Sequence, residues 1–279
     1  MTTADKFDEI RRILIALDAS PASRAALELA ADLAVRHKAE LVGIYVEDIN
    51  LLRSADISIT EEVGAFSAIP RRVDSRQVAS ELRTHARQIE EMLSSIASKA
   101  NLRWSFRSVR GLIHGELLAA AEETDLIILG KRGWSEGKQF GSTARKLAAL
   151  SPIRSLILAH KVHPDSPVLV IFDGSKASKN ALQTAARICT PGSTLMLVIP
   201  AEDQESAQAL YAGLASWIEH QEFTVQYRWV NNMTGNRISN IALVSGCDLI
   251  VMPAESELLQ PEAIISMIEK ADCAVLLVR

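Results

Sequence analysis

Two stretches decide the reading of this chain: DASPASRAALELAA at residues 18–31 and DGSKASKNALQTAA at residues 173–186, identical at eight of fourteen positions. Each begins with an aspartate that ends a continuous apolar run, RILIALD at 12–18 and PVLVIFD at 167–173. A match of this kind means that one structural unit occurs twice along the chain.

Working outward from the first copy, AELVGIYVED, LIILG and RSLILAH are further apolar runs without polar alternation. Runs of this length fit strands covered on both faces, and hence a parallel sheet. Between them lie helical patterns. Ser20 is a good N-cap, Pro21 suits a first helical turn, and Ala22, Ala26, Leu29 and Leu33 make one apolar stripe. The spacing predicts strands at 12–18, 40–47, 102–109, 125–130 and 154–160, with helices at 21–36, 76–100, 114–123 and 142–150. The second half repeats the order, with strands at 167–173, 193–200, 223–230, 247–252 and 273–279 and helices at 176–189, 204–220, 235–245 and 261–270. DLIILG from Asp125 parallels DLIVMP from Asp248. The fold class is therefore α/β: two tandem doubly wound domains, each a five-stranded parallel sheet of order 3-2-1-4-5 with helices on both faces.

The seam falls around 160–167, where prolines and polar residues interrupt the pattern, giving domains at 1–162 and 163–279. The halves differ at residues 49–75, a stretch without periodicity whose counterpart in the second half is almost absent. A long insertion of this kind is a lid, a binding element or disordered, and the sequence does not choose among them.

Over 279 residues, 48% are hydrophobic and 23% charged, which describes a chain able to bury a core. A net charge of −4 with no basic stripe argues against nucleic acid as a partner. No signal-type or membrane-spanning run is evident, so a cytoplasmic location is expected. Cys189, Cys247 and Cys273 are odd in number and far apart, which reads as free buried thiols. The six histidines are scattered, and the only close pair, His160 and His163, lacks the cysteines or carboxylates of a zinc site. His114, at the turn before a helix, could reach the crevice but reads better as a capping or surface residue. Helix positions Leu210, Leu214, Trp217 and Ile218 read as core.

In a sheet of this order, strands 1 and 4 are neighbours and a crevice opens at their carboxyl ends. Asp18 ends strand 1, and GKRGWSEGKQFGST at 130–143 follows strand 4 and opens a helix. Glycines let the backbone approach oxygen atoms closely, and the free amides of a helix start favour an anion. Lys131, Arg132 and Lys138 would add positive charge near a phosphate, or stand as solvated surface, as basic residues on a glycine loop just as often do. Asp18 also has a plainer role available, helping to start the helix that follows.

On these residues the chain resembles the universal stress protein family, in its tandem two-domain form, along nearly its whole length. The resemblance implies a stress-response regulator that binds ATP, with Mg²⁺ possible, in the first domain and turns it over slowly or not at all. ATP-binding members carry Gly-x-x-Gly, nine residues, then Gly-Ser or Gly-Thr. By that resemblance Gly130, Gly133, Gly141, Ser142 and Thr143 would hold phosphates, Asp18 would face the ribose or adenine, and Val46 would line the base pocket. Here only seven residues separate Gly133 from Gly141, so the loop is shorter than the family pattern.

The matching segment of the second half, PAESELLQPEA at 253–263, has no glycine. Proline has no amide to donate, and Glu255, Glu257 and Glu262 would repel a phosphate. Glu262 would instead complement the helix start itself. That half is read as a filled structural partner, with a pocket for a lipid-like or other small molecule as the alternative. A scaffold with no nucleotide site is the competing reading of the whole chain. An adenylate-forming enzyme is disfavoured because Asp18-Ala-Ser-Pro lacks a Ser-Gly-Gly-x-Asp-Ser signature. No Gly-x-Ser-x-Gly elbow or Walker loop occurs, and no catalytic or metal-binding residue is assigned. The runs SLILAH and AVLLVR would leave bare sheet edges, and pairing them would make an intrachain pseudo-dimer, with a homodimer of chains possible beyond it.

Overall fold

A computed structural model describes residues 10–18, 20–55, 61–63, 70–72, 75–131, 141–150, 155–160, 162–163, 165–255 and 261–279. In the first half, β1 (Arg12–Ala16), α1 (Pro21–His37) and β2 (Glu40–Asp48) are followed by α2 (Ile49–Ala55) and by β3 (Glu61–Val63) and β4 (Pro70–Arg72). Then come α3 (Ser75–Lys99), β5 (Trp104–Gly111), α4 (Ile113–Ala121), β6 (Leu126–Gly130), α5 (Ser142–Leu150) and β7 (Ser155–Ala159). The second half runs β8 (Val168–Ile171), α6 (Lys176–Ile188), β9 (Thr194–Pro200), α7 (Gln204–Ala212), α8 (Ala215–Ile218), β10 (Thr224–Val230), α9 (Gly235–Val244), β11 (Leu249–Pro253), α10 (Pro261–Lys270) and β12 (Ala274–Val278).

Ten strands form one sheet in the order β10-β9-β8-β11-β12-β7-β6-β1-β2-β5. Each half contributes five parallel strands in the expected 3-2-1-4-5 order. The halves meet where β12 and β7 pair antiparallel, Leu276 opposite Ile157 and Leu277 opposite Leu156, so the two apolar edges cover each other as anticipated.

The strands are apolar on both faces because both faces are covered. Ile13 and Ile15 pack with α1 and α3, while Leu14 packs on the other side with α4 and α5. Val170 and Leu169 divide in the same way between the layer of α6 and α7 and the layer of α9 and α10. Each helical layer thus spans both halves. At roughly 1.5–3 kcal/mol for each fully buried Leu or Ile, these layers are the main stabilising contribution.

The repeated segment explains itself locally. Ser20 Oγ accepts the Ser23 amide at 3.2 Å and Ser175 Oγ accepts the Ser178 amide at 3.1 Å, each capping its helix. Helix α1 ends at Lys38, which takes the left-handed conformation at φ 53°, with its amide bonded back to the last turn. Its buried face runs through Ser23, Ala26, Leu27, Ala30, Leu33 and Ala34 rather than through Ala22 and Leu29. The repeated Asp-Leu-Ile also has a physical cause. Asp125 Oδ2 accepts the amides of Arg11 and Arg12, both at 2.9 Å, and Asp248 Oδ2 accepts His163 N at 3.0 Å and Ser166 Oγ at 2.8 Å. Each aspartate thereby ties the chain leading into the first strand of its half.

Two departures from the sequence reading stand out. Residues 49–75 are not uniformly irregular: α2 follows β2 directly, and β3 and β4 form an antiparallel pair. The helix expected at 204–220 is broken in two: α7 ends at Ala212 and α8 starts again after Leu214. Leu210, Leu214, Trp217 and Ile218 still pack against the core as anticipated.

Candidate functional site

At the carboxyl ends of β1, β2 and β6 lies a cavity of about 480 Å³. Asp18 contributes from the end of β1, Val46 from β2, Gly130 from β6, and Gly141, Ser142 and Thr143 from the start of α5. Six of the seven residues singled out from the sequence therefore line one space. Gly133, with Arg132 and Lys138, lies outside the described residues.

Asp18 is fixed from three sides. Its Oδ1 accepts Ser20 N at 3.0 Å and Ser20 Oγ at 2.5 Å, and its amide donates to Ser23 Oγ at 2.8 Å. Asp173 makes the matching bonds, with Ser175 N at 2.9 Å and Ser178 Oγ at 3.3 Å. Burial pushes the Asp173 carboxyl up, but the hydrogen bonds from Ser175 and Ser178 outweigh it and hold the group below the usual carboxylate range. One function of this aspartate in both halves is thus to start the helix; only in the first half does it also face the cavity.

Helix α5 brings the amides of its first turn to the cavity wall beside the Ser142 and Thr143 hydroxyls, an arrangement suited to an anion. Gly141 N donates to Lys131 O at 3.3 Å, and Gly141 O accepts Arg145 N at 2.9 Å as the first bond of α5. Lys131 does not serve the cavity as its sequence position suggested. It is 2% exposed, and its ammonium donates to the carbonyl of Ala271 in the second half.

The rest of the lining was not singled out in the sequence. Helix α3 presents Val78, Glu81, Leu82 and His85, spaced three and four apart and so on one helical face. Tyr45 and Asp48 come from β2, Leu51 from α2, and Ile113 and Leu117 from α4. His114 is not among the lining residues. Burial, with help from the Glu47 and Asp18 carboxylates, pushes the Tyr45 phenol up to about 12, so it stays a neutral hydroxyl. Among the described lining residues the carboxylates are Asp18, Asp48 and Glu81, and no lysine or arginine is present. Helical spacing from the start of α3, and the position of Asp48 at a strand end, were the signals that could have found these residues.

The second half is built differently at the corresponding place. Gly174, at φ +81°, lies so close to α7 that a Cβ there would stand 2.8 Å from Leu210 Cδ2. Glu262 lies exposed in the first turn of α10. Residues 256–260 lie outside the described residues. Elsewhere the three thiols are free, and burial raises Cys189 and Cys273 to about 11 and Cys247 to about 12. No group of three His, Cys, Asp or Glu suited to a metal ion occurs among the described residues, and no described helix is long and apolar enough to cross a membrane.

Fold and cavity together define a doubly wound α/β protein with a crevice where its strand order reverses, the place where such sheets bind ligands. The sequence profile of the universal stress protein family matches residues 9–158, and the chain belongs to that family of stress-response proteins. A universal stress protein from Archaeoglobus fulgidus superposes with a TM-score of 0.71 at 18% identity, over 96% of this chain and 98% of that one. A functionally unknown protein from Pseudomonas aeruginosa superposes with a TM-score of 0.58 at 13% identity, over 98% and 94%. Both likenesses extend through the two halves and concern the fold. No curated protein matches the chain.

Proposed function

We propose that the chain is a cytoplasmic regulator that binds ATP, with Mg²⁺ accompanying the phosphates, in a first domain at 1–162. The second domain, at 163–279, acts chiefly as a structural partner. The observation that carries this reading is that Asp18, Val46, Gly130, Gly141, Ser142 and Thr143 all line one cavity. Its volume of about 480 Å³ is of the size that holds small ligands. The first-turn amides of α5 and the two hydroxyls suit phosphate oxygens. Asp18 and Asp48 suit ribose hydroxyls or an adenine amine, and Val46 with Leu117 suits a flat apolar ring. Because Asp18 is already held by Ser20, its orientation costs nothing further on binding.

The test is calorimetric titration of the protein with Mg-ATP beside a Gly130→Asp/Gly141→Asp variant, which places negative charge where phosphate belongs. Saturable binding at one site per chain, weakened at least about tenfold in the variant, is expected. Phosphate release measured on the same sample is expected to be slow or absent. A folded wild-type protein without affinity for ATP would overturn the reading.

One observation favours a scaffold without a nucleotide instead. The Gly141 amide is engaged by Lys131 O, and the Lys131 ammonium is committed to the second half. Neither is offered to a phosphate in this arrangement.

A further inference from the structure

The described residues on either side of the 132–140 stretch are fastened to each other and to the other half of the chain. Lys131 directly follows Gly130, and its Nζ bonds the carbonyl of Ala271, one residue beyond the end of α10. Its own carbonyl holds Gly141, so one residue ties the two ends of the 130–141 loop together and also reaches across the seam. Helix α5 is joined to the same region. Arg145 pairs with Glu269 of α10, and the Arg279 guanidinium donates to Ala148 O at 2.9 Å near the end of α5. The two halves thus exchange cations at helix ends, Lys131 on α10 and Arg279 on α5.

The chemistry is directional. The last carbonyls of a helix lack intrahelical partners and lie at the negative end of its dipole, so an ammonium there is favourable. Burying a lysine merely to fill space would be a poor solution, because taking its charge out of water is costly and an apolar side chain of similar length would pack at least as well.

We propose that Lys131 is a positioning residue through which α10 of the second half fixes Gly130 at the end of β6 and Gly141 at the start of α5, coupling ligand binding in the cavity those residues line to the order of α10. The identity of the ligand rests on the ATP reading; the coupling itself does not. Because coupling is reciprocal, the factor by which an ordered α10 end raises ligand affinity is the factor by which bound ligand favours that order.

Lys131→Met keeps the aliphatic stem and removes the donor. Hydrogen exchange would be followed in the full chain at the amides of 141–145 and 267–271, with and without Mg-ATP, alongside ATP affinity. Without nucleotide, the variant is expected to exchange faster at both segments. With nucleotide, the wild type gains protection at 267–271, whereas the variant does not and binds ATP about tenfold more weakly, within the usual range of such couplings. Arg145→Met, at a half-exposed pair, is expected to act in the same direction with smaller size, and carries the test if Lys131→Met fails to fold. Faster exchange confined to α10, with 141–145 and ATP affinity unchanged, would overturn the proposal. A wild type that binds no ATP removes the nucleotide reading alone, since the nucleotide-free exchange still decides the coupling.

Discussion

At the scale of single residues, the polar groups kept in both halves are those that hold backbone. Ser20 and Ser175 cap helices, and replacing Ser175 by alanine is expected to cost about 1 kcal/mol, measured by urea denaturation. Asp173 and Asp248 are held below the ordinary carboxylate range, in each case because hydrogen bonds outweigh the upward push of burial. A carboxyl with a depressed folded value contributes stability that is present above its unfolded value, about 4, and is lost as pH falls through the folded value. Stability is therefore expected to fall below about pH 4, and Asp248→Asn to flatten that slope in denaturation curves taken from pH 6 to pH 3. An unchanged slope would show that the His163 and Ser166 bonds to Asp248 do not matter in solution. The three raised thiols predict slow alkylation by iodoacetamide in the native protein at pH 8 and rapid alkylation once it is unfolded. Of this scale the aspartates and serines were legible, because they recur in the repeat. Lys131 was misread, since a basic residue on a glycine loop suggests an anion and nothing local reveals a carbonyl 140 positions away.

Among the elements, strands and helices were legible from hydrophobic period alone, and the exceptions have local causes. The helix expected at 204–220 is interrupted at 213–214, and the 49–75 stretch hides a short helix and a two-stranded ribbon too brief to show a period. Close approach of α3 to β2 depends on Gly43, where an added Cβ would lie 2.5 Å from Leu93 Cδ2 and 3.2 Å from Phe106 Cδ2. Gly43→Ala is therefore expected to destabilise by about 1–3 kcal/mol, read as a lowered melting temperature. A melting temperature equal to wild type would mean that α3 yields without loss. The cavity wall that α3 supplies was not foreseen, because Val78, Glu81, Leu82 and His85 carry no motif; only their shared face unites them.

For the whole molecule, the ten-stranded sheet depends on the pairing of β7 with β12, and Leu156, Ile157 and Leu158 are fully buried there. Expressed alone, residues 1–162 would present that strand bare. Self-association is the expected outcome, visible as dimers or larger species by sedimentation. A monodisperse monomer would show that the edge is tolerated without its partner. The pairing of edges was legible in SLILAH and AVLLVR, but the cations exchanged between helix ends were not, because they depend on how two half-molecules face each other.

That junction also governs how the molecule can respond to dose. A symmetric pair of separate chains joined at the same strand would hold two equivalent crevices and could answer a ligand steeply, each occupancy biasing the other. Here both partners are encoded in one polypeptide, and only one carries a glycine loop. On the proposed ATP reading, one site per chain predicts hyperbolic saturation with a Hill coefficient of about 1, whereas a steeper curve would point to coupling between chains.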